Sequence, residues 1–256
     1  MMRIGILGGT FNPVHNGHLR LAVEAGEALG LDCVLLTPCA SPPHKSGNGL
    51  LPFDLRVALL REAVRGVPML AVNTLEGELV GPSYTWVSLT EWHRRQGAEF
   101  RADESVAPER RPFFMMGAES FAALDSWRRG LELPKLAHLV MVPRGGDELA
   151  LFRESIRRFW PGSLPESGGA DEVAFQRERQ GGECDAEGAQ FQRETAALAG
   201  IVAGGACSFL PVPRLDISST FVRERWREGR SLAGLLPEGV LARMERERAV
   251  LDAVWN

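Results

Sequence analysis

The sequence predicts an α/β fold built on a doubly wound parallel sheet, and three observations carry that prediction. Short apolar runs of strand character, RIGIL at 3–7, CVLLTP at 33–38, PFFMMG at 112–117 and HLVMVPR at 138–144, alternate with stretches of helical apolar spacing. Strand, helix and strand in succession imply right-handed crossovers between parallel neighbours. The first run ends in a glycine-rich turn, GGTFNPVHNGHL at 8–19, and in such sheets ligands bind at the carboxyl ends of the strands.

The elements follow in order. After the glycine turn, Leu19, Leu21, Ala22, Ala25, Ala28 and Leu29 recur at helical spacing, with Gly30 as a stop. The strand at 33–38 closes at Pro38 and the loop ASPPHKSGNG follows. A helix starts near Pro52, carries Asp54 in its first turn and runs through LRVALLREAV. MLAVNTL at 69–75 reads as a strand and SYTWVSLTEWHRRQ at 83–96 as a helix. The strand at 112–117 leads into a helical ESFAALDSW at 119–127, and the strand at 138–144 is closed by Pro143.

Between Gly145 and about Gly205 the composition shifts to Gly, Glu, Gln and Arg. An amphipathic helix around LFRESIRRFW opens this stretch, and the rest reads as a polar, mobile insertion. CSFLPVP restores the ordered pattern, DISST marks a helix start before FVRERWREG, and LAGLLPEGVLARMERERAVL reads as one further helix after Pro237. The expectation is a single domain over 1–256, with the insertion at about 145–205 and a C-terminal helical part at about 216–256.

Composition narrows the functional classes. The chain is 45% hydrophobic and 24% charged, as a globular protein with a real core should be. A net charge of −4 gives no global basic field, so nucleic acid is not an expected partner. Cys33, Cys39, Cys184 and Cys207 form no CxxC pair, which suits a reducing compartment and argues against a zinc ribbon or disulfide framework. MMRIGILGG lacks the long apolar region of a signal peptide, and no run approaches the roughly 18 apolar residues of a membrane span. A cytoplasmic protein with no membrane association is expected.

The opening turn reads as a phosphate site. Gly8 and Gly9 let the backbone turn tightly, Thr10 and Phe11 follow, and the next helix presents free N–H groups and the positive end of its dipole. His15 and His18, three apart at the helix start, fall on one face and can both donate to a phosphoryl oxygen. A glycine turn with one capping and one packed histidine is the plainer reading, and HxxH without a third ligand is weak as a metal site. At the far end of the chain, Ser218, Ser219 and Thr220 cluster hydroxyls and backbone N–H groups at a helix start, and Arg223 adds a positive fork one turn on. An ordinary N-cap with a solvent-facing arginine would look the same.

GGTFNPVHNGHL resembles the GG-x-F-[DN]-P-x-H-x-GH signature of the nucleotidylyltransferase superfamily, relatives of the class I aminoacyl-tRNA synthetases. Within it the chain is most similar to the bacterial nicotinate-nucleotide adenylyltransferase family of NAD biosynthesis. PPHK at 42–45, PSYTWVSL at 82–89, MGAESFAALDSW at 116–127 and DISSTFVRERW at 216–226 match that family's blocks in the right order.

The resemblance implies a Rossmann-like nucleotidylyltransferase fold. It implies transfer of the adenylyl group of ATP to nicotinate mononucleotide, with Mg²⁺ carried by ATP and no metal ligands from protein side chains. His15, His18 and Arg223 would be catalytic. Gly8, Gly9, Thr10, Phe11, Lys45, Gly117, Glu119, Ser218, Ser219 and Thr220 would join them in binding ATP. Thr10, His44, Tyr84, Thr85 and Trp127 would bind the mononucleotide, with Trp127 stacked on the pyridine ring.

Some positions depart from the family pattern. Asn12 stands where many relatives have Asp, Glu119 where Asp is common, Leu79 where Arg is frequent, and Val87 and Ser88 where Asp-Thr is usual. Two alternatives stay open at this point. One is an adenylyltransferase for nicotinamide mononucleotide or phosphopantetheine; the other is a nucleotide-binding regulator that has lost catalysis. Oligomeric state is not readable from the sequence.

Overall fold

Strands β1 (Ile4–Gly9), β2 (Cys33–Pro38), β3 (Leu70–Val72), β4 (Phe113–Gly117), β5 (His138–Val142), β6 (Ala199–Val202) and β7 (Gly205–Phe209) form one sheet in the order β3-β2-β1-β4-β5-β7-β6. The structure is a computed structural model that describes residues 2–43, 49–97, 105–143, 148–163, 199–202, 205–213 and 215–255. Every neighbouring pair is parallel except β6–β7, where β6 runs antiparallel at the edge. The winding direction reverses between β1 and β4, which opens a crevice at their carboxyl ends.

Helices α1 (Asn16–Ala28), α2 (Phe53–Ala63), α3 (Thr85–Arg95), α4 (Ala118–Ala122), α5 (Glu148–Phe159), α6 (Ser219–Arg227), α7 (Glu238–Arg246) and α8 (Arg248–Trp255) cover both faces. The strand alternation sorts them. Leu7, Val34, Leu36, Met115 and Val140 pack with α1, α2 and α6–α8, through Ala22, Leu59, Val222 and Met244 among others. Ile6, Phe114, Met116, Leu139 and Met141 point the other way and pack with α3, α4 and α5, through Leu89, Phe121 and Phe152. Two buried layers result, as a doubly wound sheet requires.

Three expectations need correction. The strand at 69–75 is cut to β3, because Asn73 Oδ1 accepts the Leu75 N–H at 3.2 Å and turns the chain into a 3₁₀ turn at Leu75–Glu78. The helix at 119–127 stops after α4. The Ser126 hydroxyl donates to the Ala123 carbonyl at 2.7 Å, a 3₁₀ turn covers Leu124–Ser126, and Trp127 has extended backbone.

The final helix is two helices that break at Glu247. The bend lets Val240 and Met244 bury on one side while Trp255 meets Trp226 edge to face, their centroids 6.2 Å apart. The amphipathic helix expected to open the insertion is α5, and the edge strand β6 lies at the insertion's other end; residues 164–198 lie outside the described residues. No helix of the described residues is long and apolar enough to cross a membrane.

Candidate nucleotide site

The turn after β1 is held rigidly. Phe11 is buried with a left-handed φ of 49°, and the Asn12–Pro13 peptide is cis. Asn12 is buried and uses both ends of its amide. Its Oδ1 accepts the Leu51 N–H at 3.0 Å, and its Nδ2 donates to the Gly49 carbonyl at 2.6 Å. The side chain thereby ties the returning end of the loop after β2 to the glycine turn.

His15 is the N-cap of α1, and its N–H donates to His18 Nδ1 at 3.3 Å. The two rings stack with centroids 3.7 Å apart and 28° between planes, and Phe11 packs edge-on against His18 at 4.9 Å. Because Nδ1 of His18 is an acceptor, the neutral ring carries its proton on Nε2. Stacked imidazoles suit parallel donation to an anion better than convergence on one metal ion. His15 is thus both the capping residue of the plainer reading and part of the cleft wall.

The N-terminus of α6 docks directly on this turn. Ser218 caps the helix by accepting the Phe221 N–H at 3.1 Å. Ser219 Oγ donates to the Pro13 carbonyl at 2.9 Å, and Arg223 Nη1 donates to the Asn12 carbonyl at 2.8 Å. Arg223 Nη2 reaches Thr220 Oγ1 at 3.0 Å. Gly17 permits the approach: a Cβ there would meet the His15 ring at 3.0 Å and the Ile217 carbonyl at 3.3 Å. Two helix starts, α1 and α6, therefore bring first-turn residues and the positive ends of their dipoles to one cleft. Burial, and then the neighbouring Arg227, push the Arg223 pKa down from its ordinary value. No carboxylate of the described residues pairs with it.

The cleft measures about 680 Å³ and lies at the β1/β4 reversal. Gly8 and Gly9 line it from the end of β1, Thr10 and Phe11 from the turn after it, and His15 and His18 from the start of α1. Gly117 and Glu119 line it from β4 and α4, and Ser218, Ser219, Thr220 and Arg223 from α6. Tyr84, the N-cap of α3, Thr85, its first residue, and the half-buried Trp127 complete the wall on the other face of the sheet. His44 and Lys45 lie outside the described residues.

The departures from the family pattern divide. Ser88 lines the cleft and donates to Glu76 Oε1 at 2.8 Å, so it keeps the hydroxyl of the usual Thr. Leu79 and Val87 are not among the described residues of the cleft wall.

Arg56 is the residue the sequence reading missed. It is 1% exposed and donates only to carbonyls: Leu51 at 3.0 Å, Thr10 at 2.8 Å and Cys39 at 2.7 Å. One guanidinium thus ties the turn after β1 to both ends of the β2–α2 loop. Glu76 holds the β2 loop from its other side, accepting the Ala40 N–H at 3.2 Å. Burial, then Glu76, push the Cys39 thiol in this wall up to about 11, so it is protonated and no nucleophile at neutral pH. A signal for Arg56 existed: with Leu60 and Ala63 it shares the buried stripe of α2, where a charge needs partners.

Glycine turn, paired histidines and two helix starts around the switch-point cleft define a nucleotide-handling α/β protein, and residues 6–225 match the cytidylyltransferase-like family. The chain is 33% identical over 251 residues to a probable nicotinate-nucleotide adenylyltransferase of Geotalea daltonii, covering 98% of this chain and 99% of that protein. It is 34% identical over 248 residues to the same kind of protein from Geobacter metallireducens, covering 96% and 97%. The chain belongs to the nicotinate-nucleotide adenylyltransferase family within the cytidylyltransferase-like proteins. The fold matches Plasmodium falciparum nicotinic acid mononucleotide adenylyltransferase complexed with NaAD, with a TM-score of 0.62 at 14% identity, covering 100% of this chain and 99% of that one.

Proposed function

We propose that this chain transfers the adenylyl group of ATP to nicotinate mononucleotide, giving nicotinate adenine dinucleotide and pyrophosphate. The observation that carries the reading is the docking of α6 on the NPVH turn. Through Ser219 and Arg223 it brings two helix starts, two imidazoles and a guanidinium to one cleft.

The acceptor's 5′-phosphate is largely a dianion near neutral pH, so it attacks the α-phosphorus of ATP without a general base. Its oxygen forms the new P–O bond in line as the bond to the β-phosphate's bridging oxygen breaks, and pyrophosphate leaves with that electron pair. The protein's part is positioning and charge stabilisation. His18 donates from Nε2 to the phosphoryl oxygens, Arg223 supplies a fixed fork held by Asn12 and Thr220, and the positive ends of the α1 and α6 dipoles favour the phosphates.

ATP enters as its Mg²⁺ complex, with phosphate oxygens and water as the ion's ligands. The hydroxyls, amides, imidazoles and guanidinium of the cleft suit the phosphates of that complex. Among the described residues no group of three or more His, Cys, Asp and Glu is placed to hold the ion itself.

The test is pyrophosphate release with ATP and Mg²⁺, comparing nicotinate mononucleotide with nicotinamide mononucleotide and phosphopantetheine. Release with nicotinate mononucleotide, and much less with the others, is the expected result. Binding of ATP and nicotinate mononucleotide with no release would make the chain a regulator instead.

A further inference from the structure

Two adjacent arginines follow Trp127, and the structure uses them differently. Arg129 is committed: its Nε and Nη2 each donate to the Glu132 carboxylate at 2.7 Å, and its guanidinium lies 3.8 Å from the centre of the Trp86 ring. Arg128 lines the cleft, is exposed, and lies 5.0 Å from the centre of the Tyr84 ring. No carboxylate of the described residues pairs with Arg128.

A π-face orients a guanidinium without neutralising it, and leaves its N–H edge available for a planar anion. The turn that carries Arg128 is fixed by Gly130, where a Cβ would sit 1.9 Å from the Leu124 carbonyl oxygen.

The location separates this cation from the phosphate clamp. His15, His18 and Arg223 reach the cleft from α1 and α6, which pack on one face of the sheet. Tyr84, Thr85, Trp127 and Arg128 reach it from the α3–α4 layer on the other. There the guanidinium adjoins the start of α3, whose dipole also favours negative charge. Beside it, the Trp127 ring offers a flat apolar surface to a heteroaromatic ring.

We propose that Arg128 selects the acid over the amide, its guanidinium fork pairing with the carboxylate on the pyridine ring of the acceptor. This rests on the reading of the chain as a nicotinate mononucleotide adenylyltransferase. An amide at that position offers the fork one neutral oxygen in place of two charged ones, and its NH₂ group faces donors.

The experiment measures kcat/KM for nicotinate mononucleotide and nicotinamide mononucleotide, at saturating ATP and Mg²⁺, in the full chain and its Arg128→Gln and Arg128→Lys variants. The two acceptors share ribose and 5′-phosphate and differ only in the charged group. Arg128→Gln should lower kcat/KM for the acid by about 10- to 100-fold, mainly through KM, and leave the amide within about twofold. Arg128→Lys, which keeps the charge and loses the fork, should fall between.

Equal losses for both acceptors would assign the fork to the shared phosphate and overturn the proposal, as would no change for either. Unchanged unfolding midpoints in the variants exclude misfolding at this exposed position. If the native chain releases no pyrophosphate with either acceptor, the functional reading fails on its own. Calorimetric binding of nicotinate mononucleotide to the native chain and Arg128→Gln then still decides the role of Arg128.

Discussion

Arg223 donates through Nη1 to the carbonyl oxygen of Asn12 at 2.8 Å, joining residues 211 positions apart in the chain. The bond fixes the fork before any ligand arrives, and the second contact to Thr220 sets its plane. Arg223→Lys keeps the charge but cannot hold both protein oxygens and still face a phosphate. It should lower kcat by about 10²- to 10³-fold, as loss of a preorganised donor does, and leave the KM for the mononucleotide nearly unchanged. Steady-state kinetics with each substrate varied in turn gives both numbers, and a KM effect without a kcat effect would remove Arg223 from the chemical step.

His18 is placed by its bond from the His15 N–H and by its stack on the His15 ring. His18→Ala removes the Nε2 donor and should cut turnover about 10²- to 10³-fold while barely weakening mononucleotide binding. Turnover close to that of the native chain would show that the ring serves only to build the helix start.

Asn12 explains one departure from the family pattern. With Asp at this position, a carboxylate oxygen would replace the Nδ2 that donates to the Gly49 carbonyl at 2.6 Å, and two acceptors would face each other in a buried setting. Asn12→Asp should therefore destabilise this chain by about 1–3 kcal/mol, read from chemical unfolding midpoints at pH 7.5. Because protonation gives Asp a donor, the loss should shrink as the pH is lowered toward 5. A variant as stable as the native chain at pH 7.5 would mean that the loop after β2 takes up a different partner.

What could be read from the sequence followed from local pattern. Short continuous apolar runs located β1, β2, β4 and β5 to within two residues at either end, and DISST located the start of α6 because Ser218 caps it with its own side chain. The features that escaped are set by contacts distant in sequence. Nothing near Glu247 marks a break; the turn there is rewarded by distant contacts, the packing of Trp255 on Trp226 and the bond from Trp226 Nε1 to Asp252. Arg56 reads locally as one of the four charged residues of α2, and its partners lie on the turn after β1 and at both ends of the β2–α2 loop. Apolar spacing predicts a helix through Trp127, yet the chain leaves the helix after α4 where Ser126 bonds back to Ala123, and the ring lies on the cleft wall.

His138 makes acid stability a sharp test of the sheet. Its Nε2 lies 2.5 Å from the oxygen of the buried Ser208, joining β5 to β7, and its ring packs against Phe113. Burial, reinforced by Arg111 and Arg3, pushes its pKa down to about 4 from an ordinary 6.5. Above pH 6.5 both folded and unfolded chains hold it neutral and it costs nothing. As the pH falls from 6.5 to about 4, the unfolded chain takes the proton and the folded chain does not, so stability declines; below about 4 both bind it and the decline from this group ends. The full effect is roughly 3 kcal/mol at most. His138→Gln can keep the bond to Ser208 without titrating. Between pH 7.5 and 4.5 the variant should gain about 2 kcal/mol on the native chain in unfolding free energy, and a difference that stays flat with pH would show that this ring is not the acid-sensitive group.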